Sequence, residues 1–318
     1  MTVGITPYET RMVELLDING VEIENTFAEA FDMWASRLIV TAVNDRWAMA
    51  AALAATGFAT SIIACGCEGG IDGILSPELT PDGRPGVLVL FFTMSDKDMD
   101  KVLLNRVGQC IMTSPTSACY DGLGADIKVK TGGKLRFFGD GFQSSKLLEK
   151  RRLWRVPVMD GEFVIEESFS MQKAIGGGNF LILAEDERAA LSAAEAAVEE
   201  MRAVPGVIMP FPGGVVRSGS KVGSKYKGQF AATNTAYCPT IRCQVAASAL
   251  PESVNCVMEI VIDGLDEAAV REATRAGVQA ACRKGVVRIS AGNYGGKLGR
   301  FHFHLNEIMG GGQVDGGV

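Results

Sequence analysis

The stretch CVMEIVIDG, residues 256–264, sets one acid among apolar residues. Successive strand side chains point to opposite faces. Cys256, Met258, Ile260 and Ile262 therefore share one face, and Val257, Glu259 and Val261 share the other. Both faces are apolar, as in a strand covered on two sides. A carboxylate there is costly unless it is paired, hydrogen-bonded or protonated. A satisfied core glutamate or an edge position would explain Glu259. So would an acid whose pKa burial has raised to where it can both give and take a proton. Other general bases are scarce: the chain has two histidines. His302 and His304 alternate in FHFHL, which predicts an exposed side-by-side pair rather than a metal site. No G-x-S-x-G, H-E-x-x-H or Cys/His/Asn signature is present, so a glutamate is the natural candidate for proton transfer.

A second chemical signal is an absence of acid. Residues 201–251 contain no Asp or Glu, but they do contain Arg202, Arg217, Lys221, Lys225, Lys227 and Arg242. The middle, PFPGGVVRSGSKVGSK, alternates small residues with Ser218, Ser220, Ser224 and the lysines. Small residues let a ligand approach the backbone, and Ser and Lys offer donors to anionic oxygens. The order G-S-K is not that of a P-loop. A solvated basic loop is the plain reading, and a dock for a multiply carboxylated or phosphorylated small molecule is the better one. SAGNYGGKLG, 290–299, is a second glycine-rich loop, carrying Asn293 and Lys297. It neither opens a helix nor fits G-x-G-x-x-G, so a Rossmann cofactor site is not expected. Gly176-Gly177-Gly178 reads as a lobe linker or a close backbone approach.

The elements that must position these residues repeat once. RLIVTAVNDRWAMAAALAATG (37–57) and NFLILAEDERAALSAAEAAVEEMRAVPG (179–206) each run from a strand into an alanine-rich helix closed by Gly. ATSIIAC (59–65) and GVIMPF (206–211) follow as strands. GVLVLFFTM (86–94) and CVMEIVIDG then lead into helices, with Asp96 and Asp266 in helix-starting sequence. KLRFFGDG (134–141) and VVRISAG (286–292) close the units as strands. Strand, helix, strand, strand, helix, strand in both halves predicts an α+β fold of two ferredoxin-like (split β-α-β) lobes with long inserted loops. The expected boundaries are an extension over 1–16, lobes over 17–170 and 171–308, and a glycine-rich tail over 309–318. Laying N-R-V-G on T-R-A-G puts Glu259 opposite Leu90, so the first copy manages without an acid there.

The bulk composition narrows the function classes. The chain has 318 residues, 47% hydrophobic, which is a globular composition. Its net charge of -6 argues against general nucleic-acid binding. The apolar runs are too short for a membrane span, and the N-terminus lacks a secretory h-region. Eight cysteines without a regular framework suggest reduced thiols in a cytoplasmic protein.

The motifs INGVEIENTFAEAF (18–31), TPDGRPGV (80–87), GQCIMTSPT (108–116), FFGDGF (137–142), FPGGVVRSGSKVGSK (211–225), NTAYCPT (234–240), CVMEIVIDGL (256–265) and SAGNYGGKLG together resemble formylmethanofuran:tetrahydromethanopterin formyltransferase over about residues 17–308. The resemblance implies formyl transfer between the amine of methanofuran and N5 of tetrahydromethanopterin. These carriers act as co-substrates, and neither a tightly bound cofactor nor a metal is implied. It also implies that Glu259, matching the family's C-V-x-E-I-V-I, is the proton shuttle. Asn293 or loop N–H groups are expected to serve the oxyanion. Ser218, Ser220, Lys221, Ser224, Lys225 and Lys297 are the expected substrate-binding residues, because both carriers are acidic. The implied partners are further copies of the chain, as a dimer or tetramer, and formylmethanofuran hydrolase subunits. The terminal extensions and the mild charge point to a methylotrophic bacterial member of the family, expected to run from formyl-tetrahydromethanopterin towards methanofuran. A non-catalytic carrier-holding subunit is the alternative. An RNA-binding ferredoxin-like module is disfavoured, since KLRFFGDG has the aromatics but not the motif.

Overall fold

The computed structural model describes residues 16–148 and 150–310. The expected terminal extensions therefore lie almost wholly outside the described residues. In the first half, β1 (Phe27–Thr41) leads into α1 (Asp45–Thr56), β2 (Glu68–Leu75), β3 (Gly86–Thr93), α2 (Asp96–Arg106) and β4 (Ala118–Asp121). In the second half, β5 (Phe169–Ala184) leads into α3 (Glu187–Met201), β6 (Val207–Ile208), β7 (Ser220–Val222), β8 (Ala231–Thr233), β9 (Cys256–Gly264), α4 (Glu267–Ala281), β10 (Val286–Ser290) and β11 (Phe301–His304). Helices α1 to α4 start at the caps Asn44, Ser95, Asp186 and Asp266. Each of these side chains accepts the N–H three residues on, so each helix start is fixed locally by one polar side chain.

The sheet order is β2-β3-β1-β4 in the first half and β6-β9-β5-β10 in the second, antiparallel throughout. β1 and β5 then pair from Ala35↔Gln172 to Phe31↔Gly176, which fuses both halves into one mixed sheet. Each half covers one sheet face with its helices. Ala48, Ala51, Ala52 and Ala55 meet Val87, Val89 and Phe91, while Ala193, Ala194 and Ala197 meet Phe180, Ile182, Ile260 and Ile262. Alanine permits this close seating of helix on sheet. On β9 the even-numbered Ile260 and Ile262 thus face the helices. The odd-numbered Glu259 and Val261 face a cavity on the other side.

Several expected elements differ. Residues 59–65 form no strand. Ser61 N–H reaches Pro210 O, and Ile62 and Cys65 make local turns (Ala64 lies at φ 67°), so the strand starts at Glu68. Gly69-Gly70 obscured it, yet glycine is needed, because a Cβ on Gly70 would stand 2.8 Å from Ile208 Cβ. KLRFFGDG is helical: Thr131–Leu135 is α-helix and Arg136–Gly139 a 3-10 turn. Phe137 and Phe138 are both exposed there, so the alternation that suggested a strand buries nothing. The first unit instead closes with β4. GVIMPF shortens to Val207–Ile208, since Pro210 and Pro212 cannot extend a ladder. α2 ends at Arg106 and passes into a π-turn at Val107–Ile111, so N-R-V-G is not equivalent to T-R-A-G. Counted from the caps Ser95 and Asp266, Glu259 matches Leu88, on the same strand face as Leu90. The glycines at 176–178 lie inside β5 as a close approach: a Cβ on Gly176 would overlap Met33 Sδ.

Candidate active site

The cavity, of about 410 Å³, opens between the halves. β9 supplies Glu259 and Val261, and β5 supplies Gly177 and Asn179; the loop over 61–65, residues 216–222 and the 290–299 loop complete the walls. Glu259 is held on both flanks. Its strand pairs it with Leu181, and on the open side Val216 N–H donates to Glu259 O at 2.8 Å while Glu259 N–H donates to Val216 O at 3.0 Å. The backbone is therefore fixed, and the half-buried side chain projects into the cavity. Desolvation by the walls pushes its carboxyl up to about 7, with no charge or hydrogen bond opposing the shift. Gly219 passes close by; a Cβ there would lie 3.4 Å from Glu259 Oε2. A carboxyl balanced near neutrality can take a proton from one nitrogen and return it to another.

Two further sets of acids lie around the cavity. Glu29 of β1 is 1% exposed. Its Oε2 accepts from Tyr294 N at 2.7 Å and Gly296 N at 2.9 Å, and its Oε1 from Leu298 N at 2.6 Å and Gly299 N at 2.5 Å. Burial opposes its charge, but these four N–H bonds outweigh burial and hold the carboxyl below its ordinary range. Glu68 of β2 meets Asp263 of β9, which is 0% exposed. Asp263 Oδ1 accepts from Gly177 N at 2.9 Å, and Glu68 Oε1 from Cys65 Sγ at 3.6 Å. Glu68 Oε2 and Asp263 Oδ2 are both buried with no donor among the described residues. Burial first, and then the Glu68 charge, push Asp263 well above its ordinary value, which favours the protonated acid there.

The residues singled out from sequence are placed unevenly. Ser218 and Ser220 line the cavity with Glu259. Lys221 is exposed on β7 and donates to Thr235 Oγ1 at 3.0 Å. Ser224 Oγ accepts from Tyr226 N in the β7–β8 turn, with exposed Lys225 beside it. Lys297 is exposed on the 290–299 loop. Asn293 is not brought to the cavity. Its amide donates to Thr26 Oγ1 and Phe27 O and accepts from Gly295 N, so it shapes its own loop. That loop's amides at 294, 296, 298 and 299 are likewise taken by Glu29 and do not face a substrate. His302 and His304 flank Phe27, with ring centroids at 4.9 Å and 5.1 Å. Among the described residues, no group of three or more His, Cys, Asp or Glu could hold a metal ion. Nor is any described helix long and apolar enough to cross a membrane.

Sequence reasoning missed Glu29, Glu68, Asp263 and Tyr294. Glu29 in FAEAF carries the same signal as Glu259, an acid in apolar alternation, and Asp263 lies on Glu259's own strand face. Glu68, beside Gly69-Gly70, and Tyr294, in a glycine-rich loop, carry no such signal.

The comparisons with known proteins agree along the length of the chain. Residues 16–158 match the family described as "Formylmethanofuran-tetrahydromethanopterin formyltransferase", and residues 161–308 match "FTR, proximal lobe". The formylmethanofuran--tetrahydromethanopterin formyltransferase of Methylococcus capsulatus is 60% identical over 92% of this chain and 99% of the relative. One of the subunits of the formyltransferase/hydrolase complex of Methylorubrum extorquens is 52% identical over 92% of this chain and 97% of the relative. A chain in the crystal structure of that organism's formyltransferase/hydrolase complex with methylofuran is 51% identical. It superposes at a TM-score of 0.90 over 93% of this chain and 99% of its own.

Proposed function

The chain belongs to the formylmethanofuran-tetrahydromethanopterin formyltransferase family, and from that membership we propose that it transfers a formyl group between the amine of methanofuran and N5 of tetrahydromethanopterin. Glu259 serves as the proton shuttle. The observation that carries this reading is Glu259 itself, an unopposed, desolvated carboxyl at about 7, fixed on a strand and facing a cavity.

The accepting nitrogen attacks the formyl carbon, forming a C–N bond and a tetrahedral oxyanion. Glu259 takes the proton released by that nitrogen. It then passes the proton to the departing nitrogen as the old C–N bond breaks and the carbonyl re-forms. The carboxylate is regenerated and no electrons change hands, so the step calls for no redox partner. Cavity walls such as Phe31, Ile62, Phe211 and Leu298 present apolar surface to the reacting groups. Ser218 and Ser220 at the wall, with exposed Lys221, Lys225 and Lys297 and half-buried Ser224, hold the acidic ends of the carriers.

The finer architecture belongs to the same proposal: two ferredoxin-like lobes over 17–170 and 171–308, supported by the matching strand orders. Residue 170 falls inside β5, so the lobes share a strand at their boundary. The chain works with hydrolase subunits, as the name of the Methylorubrum relative suggests, and runs from formyl-tetrahydromethanopterin towards methanofuran. It also associates with further copies of itself. Residues 217–253 contain no buried side chain and expose Tyr226 and Phe230, which suits a segment covered on assembly. The setting is cytoplasmic.

The test is to mix the purified chain with formylmethanofuran and tetrahydromethanopterin and follow formation of the formylated pterin by absorbance. Transfer is expected without added metal. A folded chain that binds both carriers and transfers nothing would favour a carrier-holding subunit instead.

A further inference from the structure

The oxyanion of the tetrahedral intermediate needs a hydrogen-bond donor near Glu259, and most donors around the cavity are already engaged. Asn179 Nδ2 donates to Gly177 O and Gly292 O. Gly177 N–H is held by Asp263, the amides of Tyr294, Gly296, Leu298 and Gly299 by Glu29, and those of Gly292 and Gly295 by Asn179 and Asn293. The hydroxyls of Ser61, Ser218, Ser220 and Tyr294 remain. Ser218 and Ser220 are exposed on the 216–222 segment, and no hydrogen bond to another described residue fixes the hydroxyl of either, or of Ser61.

Tyr294, in contrast, is fixed twice by one strand. Its backbone N–H is one of the four donors to Glu29. Its ring lies 6.1 Å from that of Phe31, tilted by 53°. Glu29 and Phe31 are two apart on β1 and so share a face. One side of β1 thus anchors both the main chain and the ring of Tyr294. Burial, then the charge of Glu259, then that of Glu29 push the phenol up, so the hydroxyl keeps its proton and can only lend it.

Resting on the reading of Glu259 given above, we propose that Tyr294 donates its hydroxyl to the formyl oxyanion, and that Glu29 is the positioning residue that holds Tyr294 in place. The 290–299 loop has the form of an anion nest, and the protein fills it with its own carboxylate. Four charge-assisted bonds make that carboxylate a stiff pivot for the residue that meets the substrate. No proton leaves the phenol: the hydrogen bond forms as the carbonyl oxygen gains charge and relaxes as the carbonyl returns.

The experiment compares steady-state formyl transfer by the full chain and its Tyr294→Phe, Glu29→Gln and double variants, with Glu259→Gln alongside and thermal unfolding of each. Tyr294→Phe should lower kcat by about 10²-fold, with KM changed less than about threefold. Glu29→Gln should lower kcat by a similar factor, and the double variant should be no slower than Tyr294→Phe, because Glu29 acts through Tyr294. A role in folding alone would move the unfolding temperature and leave the two kinetic effects to multiply. If Glu29→Gln does not fold, Glu29→Asp keeps the charge and enters the same cycle. Tyr294→Phe within about twofold of wild type, or multiplying effects, overturns this inference while an inactive Glu259→Gln leaves the proposed function standing. An inactive, folded wild type overturns both.

Discussion

The two halves lay out the same strand order and then use the sheet face away from their helices in opposite ways. In the first half, Leu90 and Phe92 on that face close against Met33, Ala35, Ala174 and Ile208. In the second, the matching strand carries Glu259, Val261 and Asp263 there, and the face opens into the cavity. The closed face contributes stability through apolar burial. The open one gives some of that up to hold a carboxyl without a partner. An acid is tolerable on such a face only where the protein leaves space beside it or favours its protonated form; Glu259 has the space, and burial with the Glu68 charge favours the protonated acid at Asp263.

The contrast can be broken most forcefully from the closed side. Leu90→Glu puts a carboxylate into a face with neither space nor partner. It should cost more than about 4 kcal/mol in denaturant unfolding at pH 7. A cost below about 1 kcal/mol would mean that the first half is no more closed than the second.

On the open side, Glu68→Gln removes one member of the buried carboxyl pair. Asp263 is raised above its ordinary 3.8. Wild-type stability tied to that proton is therefore present at low pH and lost as pH rises through the folded value. The amide supplies a fixed donor and no charge, so the variant should gain about 1–3 kcal/mol relative to wild type at pH 9 over its standing at pH 5. Parallel pH–stability curves would show that the pair shares no proton.

Glu259→Gln should sharpen the comparison by a smaller amount. With an unfolded value of 4.5 and a folded value of about 7, the wild type loses stability between those pH values. The variant should be about 1–2 kcal/mol more stable at pH 8.5 and no more stable below pH 4.5. Access from the cavity keeps the figure below that of a sealed carboxyl. Equal melting curves at both pH values would place the carboxyl in ordinary solvent. Smaller still, Lys225→Ala should raise KM for the acidic carrier about two- to fivefold at low salt and have no effect at high salt, as expected of an exposed charge.

The parts of this arrangement readable in the sequence are those set by local chemistry. β9 runs over the residues its alternation marked, and Glu259 sits on the cavity side because the strand period put it opposite Ile260. Asp266 caps α4 because its side chain reaches Ala269 N–H. The misread parts depend on contacts distant in sequence. Gly69-Gly70 looks like a strand breaker until Ile208 is seen pressed against it. SAGNYGGKLG looks like a ligand cradle until Glu29, some 265 residues away, is found inside it. Asn293 has the right chemistry for an oxyanion, yet Thr26 and Phe27 take its amide. A glycine-rich loop states that something anionic or closely packed belongs there. The sequence cannot state that the protein itself provides it.

The most direct test of the central claim is the pH dependence of single-turnover formyl transfer for wild type and Glu259→Gln. If Glu259 shuttles the proton, the wild-type rate should change through an ionisation near 7, and the variant should be slower by about 10²-fold or more with that ionisation gone. A variant that keeps both the rate and the ionisation would return Glu259 to the walls of the cavity and place the chemistry elsewhere.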